Sequence, residues 1–96
     1  MPPVTLVVPV YNEEQIIEKK ILNSLSLEYP KKSIKFLFIN DGSTDATVSI
    51  IQRYSSVELI NKQQRAGKTS ALNDAMKQVT TPVVIFSDAN NLINPI

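Results

Sequence analysis

Four short apolar runs punctuate the chain: VTLVV (4–8), IKFLFI (34–39), VELI (57–60) and VVIF (83–86). Each is rich in β-branched or aromatic residues and bounded by turn formers, the composition of a β-strand. The first, second and fourth are almost unbroken in hydrophobicity, as expected of strands covered on both faces. The intervals between them carry helical periodicity. Asn12 can cap a helix with Gln15 three positions on, and Ile17, Ile21, Leu22 and Leu25 then recur on one side. Ser43 or Asp45 can cap a second helix bearing Val48, Ile51 and Tyr54. Ala71, Leu72, Ala75, Met76 and Val79 mark a third, stopped by Thr81-Pro82. The order βαβαβαβ, with a helix in each crossover, predicts a three-layer α/β fold around a four-stranded parallel sheet with right-handed connections.

A parallel sheet fixes where chemistry can sit, because ligands of open α/β sheets bind beyond the carboxyl ends of the strands. The polar clusters fall there. PVYNEE (9–14) follows the first strand, NDGSTD (40–45) the second, NKQQRAGK (61–68) the third and SDANN (87–91) the fourth. The opposite ends carry only KKSIK, SSVE and TTP.

Composition narrows the classes. The 96 residues, 43% of them hydrophobic, suffice for one small domain or part of a larger one. Ten basic against nine acidic side chains give a net charge of +1, no footprint for nucleic acid or an anionic membrane. With no cysteine there is neither a disulfide nor a thiolate metal site, which suits a reducing compartment. No apolar run approaches the roughly 20 residues that span a bilayer. A cytoplasmic location is therefore expected.

Each motif has a structural and a functional reading. Gly67-Lys68-Thr69 looks like the end of a phosphate-binding P-loop, but that loop needs a glycine five positions before Gly67, where Lys62 stands. Arg65 and Lys68 instead bracket a glycine ahead of a helix N-terminus, a place that favours anions and is equally a solvated basic loop. Asn73 and Asp74 on the helix that follows are either polar surface or supports for this loop. Asp41-Gly42 is a turn, or Asp41 accepts hydrogen bonds from a nucleobase or ribose. In PVYNEE, Pro9 ends the strand, Asn12 caps, and Glu13 and Glu14 favour the positive end of the helix. That leaves Tyr11, whose ring offers a surface for a base. Asp88 and Asn90 form an Asx-rich turn, or point oxygen ligands at a hard cation such as Mg²⁺ or Mn²⁺. A phosphoacceptor receiver domain is disfavoured, since capping explains Glu13 and Glu14 after the first strand and nothing after the third strand offers the acceptor aspartate.

Taken together, PVYNEE, NDGSTD, RAGKTSALN and a strand ending in SDAN resemble the inverting glycosyltransferases of family 2, over essentially the whole chain. The resemblance implies a Rossmann-like GT-A fold and a nucleotide-diphosphosugar donor, UDP- or GDP-linked. It places Tyr11 and Glu13, with Pro9 and Asn12 of the same motif, beside the base and ribose. Asp41 matches the acidic residue that contacts the base, and Arg65, Gly67 and Lys68 match the loop flanking the nucleotide. Asp88 and Asn90 stand where the family carries its acidic D-x-D metal motif, so Mn²⁺ or Mg²⁺ is implied; aspartate is usual at the position of Asn90. The family's domain continues into an acceptor-binding half that supplies a carboxylate general base, whereas this sequence stops at Pro95-Ile96. The expectation is an N-terminal, donor-binding part (1–96) of a longer enzyme, inactive alone, with the acceptor undefined. In the full-length parent it would lie in the cytoplasm or at the cytoplasmic face of the membrane. Its incomplete sheet would encourage self-association. The alternative is a nucleotide-binding module, or a degenerate paralogue without transfer activity.

Overall fold

The structure of the chain, a computed structural model, describes residues 2–91; Pro95 and Ile96 lie outside the described residues. Strands β1 (Val4–Val10), β2 (Ile34–Asp41), β3 (Glu58–Lys62) and β4 (Val83–Phe86) form one sheet of order β3-β2-β1-β4, with every pairing parallel. Helices α1 (Ile17–Leu25), α2 (Thr47–Ile51) and α3 (Lys68–Met76) occupy the crossovers, and a single 3₁₀ turn (Lys31–Ser33) precedes β2. The expected α/β architecture is the observed one.

Alternation along the strands sorts the core onto the two faces of the sheet. Leu6, Val8, Val10, Phe36 and Phe38 pack with Ile17 and Ile21 of α1 and Ile51 of α2. Val7, Leu37 and Ile39 face the other way, against Ala71 and Ala75 of α3. β1 and β2, central in the sheet and covered on both sides, thus read as unbroken apolar runs. The small alanines let α3 lie close to the sheet.

Local expectations fail in physically instructive ways. Pro9 does not end β1; the strand continues to Val10, with Pro9 paired to Ile39. In a parallel ladder the amide and carbonyl of one residue face the same neighbour, and those of the residue two positions on face it again. Ser87 donates its amide to the Val7 carbonyl, so the missing N–H of Pro9 faces the β4 side, where β4 has already ended at Phe86. On α1 the buried stripe is Ile17, Lys20, Ile21 and Ser24, while Leu22 is 53% exposed, because a 3.6-residue period turns it away from Ile21. On α3, Met76 is likewise exposed. Val83, Ile85 and Phe86 of the edge strand β4 are 40–50% exposed, the apolar edge on which the expectation of self-association rests. No helix among the described residues is long and apolar enough to cross a membrane.

Two glycines adopt positive φ, Gly42 at 74° and Gly67 at 101°. A Cβ on Gly42 would lie 2.4 Å from the Arg65 backbone nitrogen, whereas one on Gly67 would meet nothing within 4 Å. Alanine at either site incurs about 1–3 kcal/mol of backbone strain, and only at position 42 is a backbone clash added. Gly42→Ala is expected to lower the urea midpoint further than Gly67→Ala; equal losses would show that the loop around Arg65 yields freely.

Candidate functional site

The chain runs from β1 to β2 and on to β3 in one direction across the sheet, then returns to place β4 on the far side of β1. That reversal opens a crevice at the carboxyl ends of β1 and β4, the switch point at which such sheets bind ligands. A cleft of about 380 Å³ occupies it, lined by Pro9, Val10, Tyr11, Glu13, Asp41, Arg65, Lys68, Ala71, Asp88, Ala89 and Asn90. Residues from all four strand exits meet there. Of the residues that the family resemblance sets at the donor or metal, Asn12 and Gly67 do not line it.

Their roles are in the loop framework. Asn12 takes φ 50°, which an asparagine tolerates better than most residues. It caps nothing in its own helix, whose N-cap is Ile16 without a side-chain bond. Its Oδ1 accepts from the Thr44 amide at 2.8 Å, and its own amide donates to Ser43 Oγ at 2.9 Å. The amide of Glu13 donates to Thr47 Oγ1 at 2.8 Å, and Glu14 Oε1 accepts from the Ala46 amide at 2.9 Å. Glu14 thus serves the start of α2 rather than its own helix. Asp45 Oδ1 accepts from the Thr47 amide at 2.9 Å. The YNEE and GSTD segments are thus tied to each other by side-chain bonds to backbone amides in both directions.

Asp41 ties in the third loop. It is 4% exposed, with Oδ1 accepting from the Ala66 amide at 2.8 Å and Oδ2 from the Gly67 amide at 2.9 Å. Gly67 then acts as N-cap of α3. Lys62 steadies the same loop by an ion pair to Asp74 at 2.8 Å and a bond to Ser70 Oγ at 3.0 Å, so Asp74 is a support of the loop; the side chain at the position that denied a P-loop braces the basic loop instead. These bonds leave Arg65 with its guanidinium 3.8 Å from the centre of the Tyr11 ring and Lys68 ion-paired with Asp88. The cleft thus holds a Tyr11–Arg65 stack beside Asp41 and a Lys68–Asp88 pair, with Asn90 also in its lining.

Burial, and then repulsion from Asp45 and Asp88, raise the pKa of Glu13. Among the described residues no group of three or more His, Cys, Asp or Glu is arranged to hold a metal ion. The oxygens of Asp88 and Asn90 fit an Mg²⁺ or Mn²⁺ ion shared with substrate phosphates, for which one or two carboxylates suffice, and not one caged by protein alone.

Lys20, on α1, was not singled out in the sequence. It is 0% exposed, and its Nζ donates to Ser87 Oγ and to the Asn91 carbonyl, each at 2.5 Å. Burial lowers its pKa and the charge of Asp88 acts in the opposite sense. The available signal was a cation set between Ile17 and Ile21 on an otherwise apolar stripe.

The profile of the family described as "Glycosyl transferase family 2" matches residues 5–95. A poly-beta-1,6-N-acetyl-D-glucosamine synthase of Staphylococcus aureus (strain COL) is 34% identical over 94 residues, which cover 95% of this chain and 22% of that protein. The chain therefore spans about a fifth of the length of the curated relatives it matches. Among solved structures, the mannosyltransferase PcManGT from Pyrobaculum calidifontis, in complex with GDP-Man and Mn²⁺, aligns with a TM-score of 0.90 at 34% identity, covering 95% of this chain and 28% of that one. S. aureus TarS in complex with UDP-GlcNAc aligns at 0.91 with 26% identity, covering 97% and 28% respectively.

The loop framework has a pH signature. Burial raises the Asp45 pKa, but bonds from the Thr47 hydroxyl and from backbone amides favour the carboxylate more and hold it below its usual value. With the folded value depressed, its stabilisation is complete above the unfolded pKa of about 3.9 and disappears as pH falls through the folded value. Asp45→Ala is expected to lower stability by about 1 kcal/mol at pH 7 and by progressively less toward pH 3, read from urea midpoints across that range.

Proposed function

Because the chain belongs to glycosyl transferase family 2, we propose that its cleft is a donor site, binding a UDP- or GDP-linked sugar for inverting transfer to an acceptor hydroxyl. The observation that carries this reading is the pairing of groups in one cleft, Arg65 over the Tyr11 ring and Lys68 against Asp88. Tyr11 and Arg65 supply flat surfaces for a base, with Asp41, Glu13 and Pro9 in the same lining. Lys68 and the oxygens of Asp88 and Asn90 suit a diphosphate and its divalent ion. An Mg²⁺ or Mn²⁺ bound there supplies Lewis-acid stabilisation of the departing diphosphate.

The general base is proposed to come from a part of the family's length that this chain, spanning 22% of its relative, does not cover. Three carboxylates line the cleft, and each has another assignment in this reading: Asp41 holds the RAGK loop, Asp88 is paired with Lys68 at the phosphate end, and Glu13 is set beside the ribose. Taking the proton of an acceptor hydroxyl requires a further carboxylate within hydrogen-bond reach of it. Asn90 in place of an acid favours a second reading, a nucleotide-binding relative without transfer activity.

Calorimetric titration of the full-length protein with UDP-GlcNAc and GDP-mannose, with and without Mn²⁺, tests the proposal. One donor is expected to bind, more tightly with metal. Asp88→Ala is expected to weaken the metal-assisted binding about tenfold or more, and Tyr11→Ala to weaken binding of the corresponding nucleotide to a similar extent. Tighter binding and hydrolysis of ATP would overturn the donor-site reading. Donor binding without sugar transfer to any acceptor would favour the second.

A further inference from the structure

Lys20 sits under the turn that carries Asp88 and Asn90. It occupies the buried stripe of α1 between Ile17 and Ile21 and is among the largest fully buried side chains of the described residues. Its two partners, Ser87 Oγ and the Asn91 carbonyl, flank the Asp88-Ala89-Asn90 segment on either side. The segment is closed by a bond from the Asn91 amide to the Asp88 carbonyl at 3.1 Å, and Ala89 is buried in the same core cluster as Ile17 and Ile21. The turn is therefore pinned at its base by one ammonium and at its centre by one methyl group.

A buried ammonium carries a desolvation penalty that a structural role alone does not require, since an apolar residue at this stripe position would pack without it. Among the described residues, its bonded partners are neutral oxygens and no carboxylate is within ion-pair distance of it. What the charge adds is directional: three N–H donors on one atom can gather oxygens from both ends of a turn, which no apolar side chain can do.

We propose that Lys20 is a positioning residue for the diphosphate end of the donor site, clasping Ser87 and Asn91 so that Asp88 and Asn90 are presented to the cleft from a rigid turn. The proposal rests on the donor-site reading for its ligand, but the clasp itself is independent of it. With neutral Asn90 supplying one of the two oxygen groups, the turn holds a divalent ion more weakly than a pair of carboxylates, and a preorganised turn then contributes more to what affinity there is.

The test compares wild type with Lys20→Met, which keeps the length of the stem and removes the charge and donors, and with Ser87→Ala, a milder change that removes one acceptor. Hydrogen exchange in the full-length protein needs no ligand. Lys20→Met is expected to speed exchange at the amides of residues 88–91 at least tenfold while leaving the β1 and β2 amides unchanged, and Ser87→Ala to do so to a smaller extent. In titrations with Mn²⁺, Lys20→Met is expected to weaken UDP-GlcNAc or GDP-mannose about tenfold and to leave UMP or GMP within about twofold, a split between the two ends of the cleft that general destabilisation would not produce. Unchanged exchange in the turn, or equal loss of monophosphate and diphosphosugar, would overturn the proposal. Should Lys20→Met fail to fold, Ser87→Ala decides by the same two readouts. If wild type binds no diphosphosugar, the donor-site reading fails, and the exchange measurement still decides whether Lys20 clasps the turn.

Discussion

The buried carboxylate of Asp41 organises the sheet's functional edge. Strand β2 ends on it, and both of its oxygens are taken by consecutive amides of the loop after β3, those of Ala66 and Gly67. Charge-assisted bonds to backbone amides are among the stronger ones a carboxylate can make, and here they join elements separated by 25 and 26 residues in sequence. Gly42 permits the approach, because any side chain there would collide with the backbone of Arg65. Once the loop is fastened, Arg65 stands over Tyr11 and Lys68 stands opposite Asp88. A carboxylate has about four acceptor sites, so two backbone bonds leave room for a further donor from a ligand. Asp41 can hold the loop and still offer acceptor capacity to the cleft it lines.

The architecture was legible because its signal is redundant. Unbroken apolar runs, helical periodicity between them and polar clusters after each run all describe one parallel sheet, and no single residue had to be read correctly. Hydrogen-bond partners were not legible in the same way. Asn12, Glu13 and Glu14 have the composition of a helix start, and capping is the ordinary explanation for such residues. Their partners lie instead in the loop after β2, 31–34 residues away. Short polar side chains bond whatever donor the fold brings near, and local sequence carries no record of which loop that is. Pro9 misled for a related reason: a proline rules out a strand only where its missing amide would face a partner, and strand order decides that.

Helix α1 shows the same limit on the buried side. Hydrophobicity ranks Leu22 and Leu25 above Lys20 as core residues, yet the helical period places Lys20 on the stripe and Leu22 off it. A lysine accepts such a position only where its ammonium finds oxygens, and these come from the turn after β4, 67 and 71 residues along the chain. The conflict between polarity and position is the visible trace, and such conflicts concentrate where function constrains the sequence. One charged side chain thereby links the packing of the α1 layer to the turn that bears Asp88.

The two cations of the cleft have partners within the chain: Arg65 lies on the Tyr11 ring and Lys68 on the Asp88 carboxylate. A ligand that engages either cation exchanges a contact rather than adding one. The exchange is cheap, since Lys68 and Asp88 are 60% and 46% exposed and solvent-exposed ion pairs are worth about 0–1 kcal/mol. The Asp41 bonds, by contrast, are made by a carboxylate that is only 4% exposed. On the proposed donor-site reading, an anionic diphosphate would draw Lys68 away from Asp88 and release that carboxylate toward a cation in one movement. The Lys68–Asp88 pair would then couple the two ligand groups, while the Asp41 bonds hold the loop that carries Lys68.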